Sequence, residues 1–215
     1  KTDYIDLYQL HNPRIDPIEN DEVFDLMEAL VKEGKIRYYG SALGPDIGWF
    51  EEGEASMRKR KVHSLQIIYS ILEQEPARRF FKIAEDAQVG LISRVPHASE
   101  VLTGRYSQIP AFKPGDHRAH RKQEWLTQAL KKAEHVSFLA EDTGRTLAGA
   151  AIKFCLAQSS IVSVLPNLTN VSELVEYSSA PDTPDLTQNE LDMLDELWGK
   201  GFYLEQDGTA SSEVN

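Results

Sequence analysis

Residues 4–13 read Tyr-Ile-Asp-Leu-Tyr-Gln-Leu-His-Asn-Pro, and this stretch decides the fold class. Ile, Leu and Tyr dominate residues 4–10, which predicts a buried β-strand, and Pro13 cannot continue a strand ladder. His11 therefore lies at the carboxyl end of a strand, where parallel α/β folds place their chemistry. A strand-end histidine that only hydrogen-bonds the backbone is the alternative.

Strand-like and helix-like segments alternate along the rest of the chain. This order predicts a parallel sheet with right-handed crossovers, which a doubly wound sheet and a (β/α)8 barrel both satisfy. No Gly-x-Gly-x-x-Gly follows any strand, which weakens the dinucleotide-binding form of the doubly wound sheet. The predicted strands are residues 4–10, 36–40, 62–69, 89–94 and 160–165.

Capping residues and helical spacing predict the helices. Asp21 is the predicted N-cap of a helix that Gly34 ends, and Asn170 starts another. Thr187 and Glu190 have the spacing of a capping box at the start of the last helix, which runs to residue 198. The remaining predicted helices cover residues 47–60, 76–87, 123–142 and 144–158.

The composition is that of an acidic globular chain, with 215 residues and a net charge of −11. An acidic surface argues against general binding to nucleic acid or anionic membrane. Cys155 is the only cysteine and lies in an apolar helical pattern, so we predict a core thiol and a cytoplasmic location. His117 and His120 have no carboxylate or cysteine cluster to complete a metal site, so none is predicted.

The domain is predicted to cover residues 1–204, and residues 205–215 are predicted to form a polar tail. Lys1-Thr2-Asp3 leads directly into a strand of internal character, so we expect this sequence to be a fragment or a natural truncation. The polar segment 107–123 is long enough to predict a functional lid.

Five motifs occur together in a recognisable order. They are the stretch at 4–13, Glu-Gly-Lys-Ile-Arg-Tyr-Tyr-Gly at 33–40, Gln-Ile-Ile-Tyr at 66–69, Val-Pro at 95–96 with Leu-Thr-Gly-Arg-Tyr at 102–106, and Leu-Pro at 165–166. Each motif alone is weak. In this order and spacing they resemble the aldo-keto reductases over nearly the whole chain, from the family's fourth barrel strand to its C-terminus.

The resemblance implies a TIM (β/α)8 barrel of which this chain carries strands 4–8 only. The family extends a nicotinamide cofactor, NADPH or NADH, across the C-terminal face and reduces aldehydes and ketones by hydride transfer. Its catalytic set is Asp, Tyr, Lys and His, and only the histidine has a counterpart here. The resemblance implies that His11 Nε2 hydrogen-bonds the carbonyl of a small-molecule substrate. The other three residues lie on earlier strands, so we expect this chain alone to be inactive.

The nicotinamide end of the cofactor site departs from the family pattern. Gln66 matches the residue that hydrogen-bonds the nicotinamide carboxamide, because its amide both donates and accepts. The family also holds the carboxamide with Ser and Asn, where this chain has Ala42 and Leu43, so Gln66 is left with more of the task. Ser41 substitutes only if the register differs. Arg94 takes the place of an aromatic residue that stacks on the nicotinamide, and contact with phosphate or substrate is its alternative role.

The pyrophosphate end is predicted after the next strand. The resemblance matches Ser99, Thr103 and Arg105 to residues that touch the pyrophosphate in some branches, and a guanidinium suits phosphate well. Arg118 and Arg121 in the long loop are weaker candidates, for which a solvated loop is an equal alternative.

The adenosine end is predicted at the turn and helix start after the last strand, where the candidates are Asn167, Thr169, Glu173 and Glu176. Members that prefer NADPH place Lys or Arg at the positions of Asn167 and Glu173. Neither residue is basic here, and a carboxylate at 173 repels a 2′-phosphate while accepting from ribose hydroxyls. We therefore expect NADH to be used at least as well as NADPH.

Two other functions remain open from the sequence. One is a non-catalytic barrel that binds nucleotide as a sensor or accessory subunit. The other is an unrelated TIM-barrel lyase, which would need a Schiff-base lysine at a strand end, whereas Lys35 and Lys153 lie elsewhere.

The sequence does not identify the substrate or the partner. Trp49, His97, Tyr106 and Phe112 indicate a partly aromatic substrate lining. A five-stranded part-barrel leaves two sheet edges uncovered, so we expect association with the missing N-terminal strands or with another copy.

Overall fold

The computed structural model describes residues 2–44, 49–108, 111–112, 115–116 and 122–204. Its sheet has five parallel strands, and their order in space is their order in the chain. This confirms the predicted parallel α/β architecture and its five strands. The strands are β1 (Ile5–His11), β2 (Ile36–Ala42), β3 (Ser64–Ile68), β4 (Gly90–Arg94) and β5 (Ile161–Leu165).

Helices fill every crossover between neighbouring strands. Because right-handed crossovers in strictly sequential order place all connecting helices on one face, the other face of the sheet stays free of them. A doubly wound sheet would reverse the strand order partway, and the described strands do not. The helices are α1 (Ile15–Glu19), α2 (Asp21–Lys32), α3 (Phe50–Arg58), α4 (Ala77–Ala87), α5 (Gln123–Glu134), α6 (Leu147–Leu156), α7 (Val171–Ser179) and α8 (Gln188–Gly199).

The hydrophobic core lies between the sheet and the helices. Leu65 and Leu91 on the central strands are fully buried and belong to one cluster with Phe80 of α4. Cys155 of α6 is in the same cluster, which confirms the predicted core thiol. Burial raises the pKa of the Cys155 thiol to about 12, so this sulfur stays protonated and unreactive at neutral pH.

Several predicted helix ends shift by a few residues. Asn20, rather than Asp21, caps α2, and its side chain accepts a hydrogen bond from Glu22 N at 3.0 Å. Helix α5 ends at Glu134 instead of continuing to residue 142, because the chain turns inward and buries Val136 and Leu139 completely. The predicted capping box of α8 is confirmed, since both of its hydrogen bonds are present.

Apolar side chains are exposed at both edges of the sheet. Among the described residues, β1 and β5 each pair with a single strand. Val162 on β5 is 64% exposed, and Tyr8 on β1 is 43% exposed. Exposed apolar side chains along a sheet edge are typical of surfaces that contact another segment or chain.

Some sequence-based expectations concern other parts of the chain. Residues 205–215, Arg118 and Arg121, and the histidines at 117 and 120 lie outside the described residues. Within the described ranges, no helix is long and apolar enough to cross a membrane.

Gly40 in β2 is where two strands approach most closely. A Cβ atom at this position would lie 2.3 Å from Ser64 Oγ and 2.5 Å from the Ser64 carbonyl oxygen of β3. Both distances are below any real carbon–oxygen contact, and the second involves backbone that cannot rotate away. Only glycine is compatible with this register of β2 against β3.

We therefore expect Gly40→Ala to lower the free energy of unfolding of the protein by about 2 to 3 kcal/mol, because overpacking displaces backbone. The control is Gly199→Ala at the end of α8, where an added Cβ meets no atom within 4 Å. That change should be neutral or stabilising, since alanine favours helix. Urea denaturation measures both, and equal effects of the two substitutions would contradict this account of Gly40.

Candidate active site

The histidine and the glutamine predicted to share one site lie in one row across the sheet. His11 pairs with Ala42 of β2, and Ala42 pairs with Gln66 of β3. Side chains of paired residues in parallel strands point to the same face. His11 is exposed and Gln66 is half-buried, both at the carboxyl ends of their strands on the face that carries no helices. The described geometry thus brings the two predicted residues to one surface.

Two further polar residues join Gln66 on this face. Gln66 Nε2 donates to Gln9 Oε1 at 3.2 Å, and Gln9 Nε2 donates to Ser64 Oγ at 3.2 Å. Neither Gln9 nor Ser64 was predicted to be a site residue. Strand periodicity was the available signal, because Gln9 lies two residues before His11 and Ser64 two residues before Gln66.

Ser41, near the end of β2, lies on the helix side of the sheet. Ser41 is fully buried and its hydroxyl lies 3.1 Å from Ser56 Oγ of α3, on the helix side of the sheet. Ser41 therefore faces away from His11 and Gln66 and does not substitute for the missing serine. Leu43 belongs to the hydrophobic core, but its carbonyl accepts a hydrogen bond from Arg94 Nη2 at 3.1 Å.

Arg94 ends β4 and shares the face of Gln66. Gln66 pairs with Ile92, and Arg94 lies two residues farther along the same strand. Its half-buried guanidinium reaches across β3 to the end of β2. The cation thus lies along the upper rim of the surface that His11 and Gln66 share.

The loop after β4 has an unusual backbone. Val95, Ala98, Ser99 and Glu100 all have positive φ, between 48° and 72°. This conformation is rare for residues other than glycine and most costly for β-branched ones, and such strain is common at ligand sites. The loop ends in a 3₁₀ turn, Val101–Thr103, where Thr103 Oγ1 donates to the Glu100 carbonyl at 2.7 Å. This hydrogen bond from the Thr103 hydroxyl stabilises the conformation of the loop.

Four of the predicted residues form one charged cluster at the start of α7. Arg105 pairs with Glu173 and, at 3.3 Å, with Glu176. Thr169 donates to Glu173 Oε2 from both its backbone nitrogen, at 2.6 Å, and its hydroxyl, at 2.8 Å. Asn167 is exposed and forms no side-chain hydrogen bond with the described residues.

The charges of this cluster are strongly coupled. Burial alone would raise the pKa of Glu173, but the hydrogen bonds from Thr169 and the pair with Arg105 outweigh it and lower that pKa to about 2. The hydrogen bond to Glu173 raises the pKa of Arg105. Since both oxygens of Glu173 are engaged within the protein, Glu176 is the more accessible carboxylate, with 26% of its side chain exposed.

His97, predicted as part of a partly aromatic substrate lining, is instead buried in the interior. It is 1% exposed, its Nε2 is 3.2 Å from the Ala148 carbonyl, and its ring centroid is 4.5 Å from that of Tyr177. His97 Nδ1 and Tyr177 Oη have no hydrogen-bond partner in the described part of the chain. Burial lowers the pKa of His97 to about 4 and raises that of Tyr177 to about 12. His97 is therefore a neutral anchor between α6 and α7.

The other proposed lining residues are half-buried around the same end of the sheet. The guanidinium of Arg14 lies over the ring of Trp49, 4.5 Å from its centroid. Tyr106 and Phe112 pack against the edge of the core. Within the described ranges, no group of three or more His, Cys, Asp or Glu residues is placed to hold a metal ion.

Comparison with known proteins identifies the family. The model of the Aldo/keto reductase family matches residues 1–199. The chain is 30% identical over 206 residues to "Uncharacterized oxidoreductase YqkF" of Bacillus subtilis, an alignment that covers 94% of this chain and 63% of that protein. It is 26% identical to "Probable voltage-gated potassium channel subunit beta" of Arabidopsis thaliana, covering 91% of this chain and 62% of that one. The chain belongs to the aldo/keto reductase family.

Solved structures of the same family have the same fold. The holo form of aldo-keto reductase AKR11C1 from Bacillus halodurans matches with a TM-score of 0.68 at 28% identity, over 91% of this chain and 62% of that one. Glycerol dehydrogenase AKR11B4 from Gluconobacter oxydans matches with a TM-score of 0.76 at 20% identity, over 98% and 63%, and this likeness concerns the fold alone. The chain thus spans somewhat less than two thirds of the length of these relatives.

The burial of neutral His97 predicts a pH dependence of stability. Its folded pKa is lowered to about 4 from an ordinary value of 6.5, so the unfolded chain binds the extra proton first as the pH falls. Stability is then fully present above about pH 6.5 and is lost progressively toward pH 4, by about 2 kcal/mol between pH 7.5 and pH 5.

Urea denaturation at these two pH values tests this expectation on the full-length protein. His97→Gln removes the titrating group. The difference in the free energy of unfolding between pH 7.5 and pH 5 should therefore shrink by about 2 kcal/mol, whatever the absolute stability of the variant. An unchanged difference would show that His97 is protonated at the same pH in the folded and unfolded states.

Proposed function

We propose that the protein is an NAD(P)H-dependent oxidoreductase that reduces aldehydes or ketones to alcohols. The observation that carries this proposal is the shared row of His11 and Gln66 at the carboxyl ends of β1 and β3. The imidazole of His11 can hydrogen-bond a substrate carbonyl, and the amide of Gln66 can hydrogen-bond a nicotinamide carboxamide. Hydride transfer requires the substrate carbonyl and the nicotinamide ring to lie side by side. Membership of the aldo/keto reductase family supports the same chemistry.

The residues present fit a nicotinamide cofactor in this orientation. When bound, the reduced nicotinamide supplies the hydride. No described residue donates a hydrogen bond to Gln66 Oε1, so this oxygen is available to a carboxamide N–H. Ala42, between His11 and Gln66, has only a methyl side chain, so a planar ring is proposed to lie over it. His11 donates to the substrate carbonyl and orients it, which also stabilises the negative charge that develops on its oxygen.

We further propose that β1 to β5 correspond to strands 4–8 of a complete barrel formed by residues 1–204 with additional strands. The relatives are longer than this chain, and the exposed apolar side chains of β1 and β5 suit coverage by such strands. The Asp, Tyr and Lys of the family's catalytic set would then come from sequence outside these 215 residues. Within this proposal, the 215-residue chain alone binds and orients but lacks the proton donor.

The non-catalytic alternative is less well supported. A relative named as a potassium channel subunit is compatible with an accessory role. A relative named as an oxidoreductase has higher identity, and the family model and the holo reductase structure also favour an enzyme. We place the enzyme in the cytoplasm because a single buried cysteine suits a reducing compartment.

We propose a contact for each of the remaining cofactor-binding residues, in order from the nicotinamide to the adenosine. Arg94 lies beside the nicotinamide, and Ser99, Thr103 and Arg105 are proposed to face the pyrophosphate. Asn167, Thr169, Glu173 and Glu176 then surround the adenosine end. Glu173 and Glu176 bring two carboxylates to the adenosine end, and their negative charge disfavours a 2′-phosphate there. NADH is therefore proposed to serve at least as well as NADPH.

The role of His11 predicts a loss of catalysis without a loss of cofactor binding. His11→Ala in the full-length protein should lower kcat/KM for a carbonyl substrate roughly 100-fold, because a donor to the developing oxyanion is removed. The Kd for NADH should change by less than about twofold. Steady-state kinetics and fluorescence titration measure the two quantities, and near-normal kcat/KM in the variant would exclude His11 from catalysis.

The charge cluster predicts how cofactor preference can be changed. Glu176→Gln removes one of the two negative charges at the adenosine end, which lessens the repulsion of a 2′-phosphate. The ratio of kcat/KM for NADPH to that for NADH should rise roughly two- to fivefold. Glu54→Gln removes a carboxylate that pairs with Arg58 on the exposed side of helix α3, and should leave the ratio unchanged. A large NADPH preference in the wild-type enzyme would refute the proposed preference outright.

A further inference from the structure

A polar relay crosses three strands beneath the proposed nicotinamide site. Gln9 of β1 pairs with Gly40 of β2, which in turn pairs with Ser64 of β3. Because Gly40 has no side chain, the amide of Gln9 passes over β2 and reaches both Ser64 Oγ and the Gln66 amide, each at 3.2 Å. A larger residue at position 40 would separate these groups, so the glycine that fixes the register also permits the relay.

The relay fixes which atom of Gln66 faces the open side of the sheet. A glutamine amide has one acceptor oxygen and one donor nitrogen, and a flip exchanges them. Gln66 Nε2 donates to Gln9 Oε1, and Gln9 Nε2 donates in turn to Ser64 Oγ. Reversal of the Gln66 amide alone would set acceptor against acceptor, and reversal of the Gln9 amide alone would set donor against donor. Gln66 Oε1 is therefore held available as an acceptor.

The orientation of the Gln66 amide is especially important in this chain, because neighbouring side chains cannot hold a carboxamide. Ala42 provides no hydroxyl and the side chain of Leu43 is buried in the core, so neither can hold a carboxamide. We propose that Gln9 is a positioning residue that orients Gln66, so that Gln66 Oε1 accepts from the carboxamide NH2 group. The proposal rests on the function proposed above, and it assigns recognition of the amide group to the Ser64–Gln9–Gln66 relay.

The proposal predicts discrimination between two cofactors. The 3-acetylpyridine analogue of NAD⁺ has a methyl ketone in place of the carboxamide and therefore cannot donate to Gln66 Oε1. Wild-type full-length protein should bind NAD⁺ roughly five- to tenfold more tightly than this analogue, as expected for one buried hydrogen bond. Calorimetric titration gives both Kd values, and both molecules carry the same charge.

Substitutions in the relay should change this Kd ratio. Gln9→Met has similar length but no amide, so the ratio should fall to within about twofold of one. Gln9→Glu keeps the acceptor for Gln66 Nε2 and should retain the wild-type ratio. Ser64→Ala releases Gln9 and should lower the ratio by itself, which tests the relay if Gln9→Met does not fold. Gln158→Met, at a half-buried glutamine between α4, α6 and α8, is the control and should change nothing.

The possible outcomes distinguish failure of the role proposed for Gln9 from failure of the proposed oxidoreductase function. Failure of the wild-type protein to bind NAD⁺ and NADH would overturn the proposed function and this inference with it. Normal NAD⁺ binding, with a wild-type ratio retained in folded Gln9→Met and Ser64→Ala, would overturn only the role of Gln9. A fall in the ratio for Gln158→Met as large as that for Gln9→Met would also overturn it, because the effect would then not be local.

Discussion

The in-register pairing of β1, β2 and β3 is the constraint on which the site depends. It produces two consecutive rows, Gln9–Gly40–Ser64 and His11–Ala42–Gln66, on the face of the sheet without helices. Each row has a small residue at its centre, so side chains of β1 and β3 can approach each other across β2, as those of Gln9 and Ser64 do. A shift of one residue would turn His11 and Gln66 toward the helices. Such a shift of register would place a residue with a side chain where Gly40 now packs against the Ser64 backbone, and a Cβ atom does not fit there.

The two ends of the proposed cofactor site differ in their electrostatics. Around Gln66 recognition depends on neutral amides, whose orientation is set by neighbours rather than by charge. At the start of α7 it depends on opposite charges, with Arg105 matched by Glu173 and Glu176. The lowered pKa of Glu173 keeps its carboxylate ionised through the physiological range. Chemistry at one end and cofactor choice at the other are thus controlled by separate interactions.

The sequence predicted most of the fold but only part of the site. Strand periodicity and the Pro13 stop were sufficient for five parallel strands, because these signals are local. The pairing of Arg105 with Glu173 joins residues 68 positions apart, and no local pattern contains it. Burial of His97 was missed for the same reason, since its neighbours Ala148 and Tyr177 come from two later helices. Gln9 was within reach of prediction, because strand alternation places it on the face of His11.

A crystal structure of the full-length protein with bound NADH tests the central claim most directly. The account predicts a closed barrel in which the carboxamide nitrogen lies about 3 Å from Gln66 Oε1, with Gln66 Nε2 still bound to Gln9. It also predicts that the imidazole of His11 borders the same cavity as the nicotinamide ring. A nicotinamide bound away from the rows formed by β1, β2 and β3, or a His11 side chain directed toward the helices, would contradict it.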